Sequence, residues 1–156
     1  MSKEALKFAP REVFEQILEW SVIPTFDLII EIEPGKVVMV RRKIEPYAAT
    51  WALPGLRMFK PESIEDVLVR VAKNELGLTI DPKSATLLGQ YVGRFKTEHQ
   101  RQDISTAYVV RALSSEITLN TEHFTSYRLI EGPADIPAKT GAMYAYYLNR
   151  YFEARN

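Results

Sequence analysis

Cysteine is absent from this chain. That excludes a disulfide scaffold, a thiolate metal site and a cysteine nucleophile. An excess of charge is absent too: 20 Lys and Arg balance 20 Asp and Glu. A balanced chain has no broad electrostatic footprint for nucleic acid or for an anionic membrane, so neither is expected as a partner. Local basic clusters can still hold a small phosphate ligand. Long apolar runs are missing, and none could span a bilayer as a helix. The opening Met1-Ser2-Lys3-Glu4-Ala5-Leu6-Lys7 mixes charges and lacks the apolar core of a secretory signal. The expectation is a soluble, cytoplasmic protein. Repeats, low-complexity stretches and linkers are lacking as well, so residues 1–156 are expected to form a single domain.

What is present is enough for a packed core, with 46% hydrophobic residues. The first twenty-two residues read as a helix, with Pro10 in its first turn and Phe14, Ile17, Leu18 and Val22 on one face, stopped by Pro24. A strand pair follows, residues 26–32 and 36–42, around the turn Glu33-Pro34-Gly35. Residues 43–50 read as a polar loop leading to Trp51-Ala52-Leu53-Pro54-Gly55. The clearest helix runs from Ser63 to Gly77. Ser63 is an N-cap with Asp66 three residues on, and Gly77 suits a left-handed cap. Further strands are expected at 86–95, 104–113 and 126–130, and a helix over 139–152 with Met143, Tyr147, Leu148 and Tyr151 at helical spacing. Strands with few helices point to an α+β fold or an α/β/α sandwich.

One carboxylate breaks the pattern. On the helix after Ser63, Ile64, Leu68 and Val71 make an apolar stripe, and Glu75 falls within roughly 40° of it at about 100° per residue. A buried carboxylate neutralises or finds a cation, either Arg, Lys or a divalent metal. Glu75 lies in the last turn, so reaching water is the bland alternative. Arg70 and Glu62, eight apart, could pair across the helix start, and on a surface such a pair is worth little.

These residues resemble the Nudix box: a glycine, five residues, a glutamate, seven residues, then Arg-Glu-aliphatic-x-Glu-Glu-x-Gly-aliphatic. The stretch Leu56 to Leu78 fits that frame without a gap. Glu62, Arg70, Glu75, Gly77 and Leu78 match it. Leu56 stands where the box begins with Gly, Val71 where it has Glu, and Asn74 at the first of its paired Glu. Trp51-Ala52-Leu53-Pro54-Gly55 resembles the usual lead-in. The resemblance implies an α+β, α/β/α sandwich with a mixed β-sheet and a loop–helix–loop box.

Within the superfamily, the pattern is similar to the GDP-mannose mannosyl hydrolases, whose box also keeps the Arg and the second Glu and drops the others. The likeness extends over about residues 10–130 at scattered positions. It implies hydrolysis of a nucleoside diphosphate sugar at the anomeric carbon, with magnesium, or manganese in its place, as cofactor. Gly55 (through its carbonyl) and Glu75 match two of the metal ligands. Asp27 matches the residue that serves sugar binding and catalysis, Arg42 a diphosphate contact, Arg57 an Arg that stabilises the leaving group, and Tyr108 an active-site Tyr. In the late loop, Thr121-Glu122-His123-Phe124, two registers remain. Without a gap His123 is the third ligand and Phe124 takes the base position. With a one-residue slip Glu122 is the ligand and His123 the base. The slip is preferred, since Glu suits magnesium and His suits a base near neutral pH. Family habit and the aromatic tail point to a homodimer. Two alternatives remain: a Nudix pyrophosphatase attacking phosphorus, and an inactive nucleotide-sugar binding module.

Overall fold

The computed structural model describes residues 5–44 and 47–155. Its elements are helix α1 (Arg11–Trp20), strands β1 (Ile23–Glu33), β2 (Lys36–Arg42), β3 (Trp51–Ala52) and β4 (Gly55–Arg57), helix α2 (Ile64–Leu76), strands β5 (Ile80–Arg94), β6 (Gln102–Ala112) and β7 (Phe124–Ile130), and helix α3 (Ala142–Ala154). The strands form one sheet in the order β3-β2-β1-β6-β5, with β4 added to β1 and β7 to β2. β1 and β6 run parallel, and the other pairs are antiparallel. Helix α2 covers one face over Phe26, Leu28, Ile30, Val38 and Val40. Helix α3 covers the other over Ile29, Val37 and Met39. The result is the α/β/α sandwich with a mixed sheet that the sequence implied. Among the described residues no helix is long and apolar enough to cross a membrane.

β1 is central and buried on both faces, which demands a nearly continuous apolar run rather than alternation. Asp27 is the exception inside that run. The strand changes partner along its length. Its C-terminal end pairs with β2 at Glu31↔Val37, while its N-terminal end pairs with β4 at Thr25↔Arg57, Phe26↔Leu56 and Asp27↔Gly55. The expected hairpin is therefore paired only near its turn. Beyond that, β2 turns to β7 and β3.

Several boundaries differ from expectation. α1 is shorter than the first twenty-two residues, ends where the Ser21 N–H meets the Ile17 carbonyl, and buries none of its residues. Pro24 does not stop it; it lies in β1, where the Ile23–Thr25 stretch favours extended backbone. β5 starts at Ile80, ahead of residue 86, because the register break between Asp81 and Thr86 absorbs the turn-like Pro82 as a bulge. Trp51–Ala52 and Gly55–Arg57, for which the sequence named no strand, form β3 and β4. α2 keeps both predicted caps: the Ser63 hydroxyl accepts from the Asp66 N–H, and Gly77 sits at φ 64°. Its buried stripe is Val67, Leu68, Val71, Ala72, Glu75 and Leu76. Ile64 is not part of it, being 44% exposed in the first turn.

Candidate functional site

The loop before α2 is held by a buried ion pair. Arg70 donates from Nε to Glu62 Oε2 at 2.7 Å and from Nη2 to Oε1 at 3.0 Å. The same Nη2 reaches the Arg57 carbonyl at 2.7 Å, and the Phe59 N–H donates to Glu62 Oε1 at 2.8 Å. The Glu62 side chain is 4% exposed. This is a bidentate, fully engaged pair rather than a loose surface contact. It ties the end of β4 to the middle of α2, and so fixes where Gly55 and Arg57 lie relative to the helix.

Glu75, one and a half turns further along α2, is 1% exposed. Burial raises its pKa, and His123 opposes that shift. The His123 Nδ1 stands 3.0 Å from Oε1 and 2.9 Å from Oε2 of this carboxylate. His123 reaches it because the Asn120 N–H binds the Glu75 carbonyl and the His123 N–H binds the Asn120 carbonyl, which docks the loop before β7 onto the end of α2. A carboxylate on Nδ1 selects the tautomer that leaves Nε2 as acceptor, the arrangement of an oriented general base.

Asp27 is the second buried acid, 4% exposed in the middle of β1. Desolvation pushes its pKa up to about 7, against a hydrogen bond from Ser105 and with further influence from Asp103 and Arg42. The Ser105 hydroxyl donates to Oδ2 at 2.5 Å, and the Tyr147 hydroxyl of α3 lies 3.0 Å from Ser105 Oγ. Oδ1 occupies the space a side chain at position 55 would need: a Cβ on Gly55 would lie 2.1 Å from it. Tyr144 is close enough for the Asp27 charge to add to the rise that burial causes in its pKa. Arg42 belongs to the same electrostatic environment, and its Nε is buried without a hydrogen-bond partner.

The β1–β4 register also frees a backbone oxygen. Leu28 N–H bonds the Pro54 carbonyl and Met58 N–H the Pro24 carbonyl, so Asp27 and Gly55 form a non-hydrogen-bonded pair. The Gly55 carbonyl thus turns away from β1, and among the described residues no other strand pairs with β4. Arg57, two residues on, projects to the same face as Asp27. Its guanidinium carbon lies 3.8 Å from the Phe14 ring centre and 4.7 Å from that of Phe59. Burial, then Arg101 and Arg70, lower its pKa.

Tyr108 lies on the opposite face from Asp27. It stacks on Phe26 at 6.3 Å beneath α2. The structure therefore does not bring Tyr108 and Asp27 together; the parallel pairing of β1 with β6 separates them across the sheet. Phe124 is buried at 6% exposure, and a phenyl ring there has no proton to exchange. Glu122 is exposed, with its N–H on the Asn120 side chain at 3.1 Å. Among the described residues no group of three or more His, Cys, Asp or Glu is placed to hold a metal ion. Of the expected ligands, the Gly55 carbonyl and the Glu75 carboxylate are oxygen donors of the kind a hard divalent cation takes, and both Glu75 oxygens face His123 Nδ1.

Ser105, Asp103, Tyr144 and Tyr147 were not singled out as site residues in the sequence. The available signal was the alternation of β6, which puts Asp103, Ser105 and Ala107 on one face, but it does not say which strand lies alongside.

Comparison with known proteins agrees with this architecture. The family model described as NUDIX domain matches residues 23–150. The low-salt glycan biosynthesis protein Agl8 of Haloferax volcanii is 29% identical over 129 residues, covering 80% of this chain and 80% of that protein. The ADP-ribose pyrophosphatase of Methanocaldococcus jannaschii is 40% identical over 65 residues, 42% of this chain and only 37% of that protein. Among solved structures, the MutT NUDIX hydrolase from Burkholderia pseudomallei superposes with a TM-score of 0.73 at 21% identity, over 83% of this chain and 98% of that one.

Proposed function

Because this chain belongs to the NUDIX domain family, we propose that it is a divalent-metal-dependent hydrolase of a nucleoside diphosphate sugar, GDP-mannose-like, releasing the nucleoside diphosphate and the free sugar. One observation carries this reading: the buried Glu75 carboxylate at the end of a doubly capped helix, with His123 Nδ1 on both its oxygens.

The Gly55 carbonyl and Glu75 would hold a magnesium or manganese ion, which when bound supplies positive charge to a diphosphate leaving group. His123, its Nδ1–H on Glu75, would accept the proton of the attacking water at Nε2, a contribution of roughly 10²- to 10⁴-fold. Arg57 and Arg42 would bind phosphate oxygens as the bond to the sugar breaks; fixed donors of this kind are typically worth about 3 kcal/mol each in the transition state. Asp27, held by Ser105, would engage sugar hydroxyls. Tyr108, across the sheet from Asp27 and stacked on Phe26 beneath α2, has no part in this reading. Glu122 would complete the metal's protein ligands only by turning inward from its exposed position.

Attack at carbon rather than phosphorus is favoured by the two missing carboxylates. Val71 is buried in the core and Asn74 is neutral, so α2 offers little charge for gathering metal around a phosphoryl group. A second reading, a pyrophosphatase of a nucleoside diphosphate compound, draws on the likeness to the ADP-ribose pyrophosphatase.

The test is a panel of nucleotide sugars incubated with magnesium, with products identified by mass and phosphorus resonance. Nucleoside diphosphate plus free sugar is expected. Nucleoside monophosphate plus sugar phosphate would replace this reading with the second, and binding without turnover would make the protein a nucleotide-sugar sensor.

A further inference from the structure

Arg57 is unlike Arg70 and Arg101, the two arginines whose charges lie beside it. Arg70 is locked to Glu62, and Arg101 donates to Asp103 at 2.7 Å. Among the described residues Arg57 has neither an ion pair nor a side-chain hydrogen bond. It stands instead beside two rings, with the charges of Arg101 and Arg70 nearby. A guanidinium that is partly desolvated among like charges, with its N–H donors unspent, is poised for an anion. Aromatic faces hold the plane of the group by cation–π attraction without consuming any donor.

The nearer ring is Phe14, at 3.8 Å, and it comes from α1. That helix lies outside residues 23–150, the span matched by the family. It buries no residue of its own and contributes little to the core. Two of its side chains reach outward from it: Phe14 to Arg57, and Glu19 to His99 Nδ1 at 2.9 Å.

We propose that Phe14 is a positioning residue, through which α1 orients the Arg57 guanidinium for the diphosphate of the substrate. The proposal rests on the assignment of Arg57 to the diphosphate. Phe14 does not touch the reacting atoms. It restricts the tilt of the guanidinium so that its N–H fork meets phosphate oxygens in plane, and removing the ring returns rotational freedom to the Arg57 side chain.

The experiment measures nucleoside diphosphate affinity by calorimetry with magnesium present, using GDP and ADP as probes. The variants are Phe14→Ala, Phe14→Tyr, Glu19→Gln, Arg57→Ala and the Phe14→Ala/Arg57→Ala double variant. Phe14→Ala is expected to weaken binding about 5- to 30-fold, Phe14→Tyr to restore it within about twofold, and Arg57→Ala to weaken it at least as much as Phe14→Ala. Phe14→Ala should add nothing once Arg57 is gone. Glu19→Gln loosens the other attachment of α1 and should leave affinity within about twofold. If Arg57→Ala weakens binding and Phe14→Ala does not, or if the two losses simply add, the positioning role is wrong. If Glu19→Gln matches Phe14→Ala, α1 acts by docking alone and the proposal fails. If Arg57→Ala itself has no effect, the failure belongs to the diphosphate assignment, and the positioning role falls with it.

Discussion

Asp27 and Gly55 share one volume: Oδ1 of the acid stands where the Cβ of residue 55 would be, 2.1 Å from its ideal position. The glycine is required by this close approach and not by its backbone angles. The Phe26 carbonyl, 2.8 Å from the same point, cannot move without disturbing β1. Gly55→Ala is therefore expected to destabilise the fold by about 1–3 kcal/mol, as overpacking does. Urea unfolding reads it directly. The companion variant Gly55→Ala with Asp27→Gly should recover only part of the loss, because the clashing carboxylate is gone but the Phe26 carbonyl remains.

Glu75→Gln keeps the size of the side chain and a hydrogen bond to His123 but removes the charge. Turnover is expected to fall more than tenfold, and the magnesium concentration giving half-maximal rate should rise. Steady-state kinetics across a magnesium titration checks both. Unchanged kinetics would remove Glu75 from the metal site and leave it a buried structural acid.

Asp27 predicts a particular dependence of stability on pH. Its pKa is raised from 3.8 to about 7, so the folded state binds the extra proton between those values. The stability it contributes is fully present below about pH 4 and is lost as pH rises through 7. Asp27→Asn cannot ionise. In metal-free protein, wild type should lose stability relative to this variant on going from pH 4 to pH 8, by at most about 4 kcal/mol. Parallel denaturant titrations at the two pH values measure the difference, and a flat difference would mean Asp27 is ionised throughout.

Much of the site's scaffold could be read from residue order. Ser63, Asp66 and Gly77 bound α2 by local chemistry, and the helical wheel put Glu75 among apolar neighbours, where it lies. The wheel erred at Ile64, which is exposed in the first turn of α2, because periodicity names a face but not which of its residues meet a neighbour. β4 was hidden because three residues after a proline carry no periodic signal; tertiary pairing with β1 alone makes them a strand. The late loop was ambiguous in register, and its contacts were decided by backbone bonds of Asn120 that link it to α2. Ser105 and Tyr147 were out of reach for a different reason. Ser105 lies 78 residues from Asp27, and Tyr147 lies 42 beyond Ser105. Only the parallel pairing of β1 with β6 and the packing of α3 assemble that chain of hydroxyls. The same pairing sends Tyr108 to the far side of the sheet.

Glycosyl and phosphoryl attack differ in the bond that breaks. Hydrolysis of a nucleotide sugar in water enriched in oxygen-18, with magnesium and limiting enzyme, traces the attacking oxygen. The label is expected in the anomeric hydroxyl of the released sugar, with none in the nucleoside diphosphate. Label in a phosphate of either product would contradict attack at carbon.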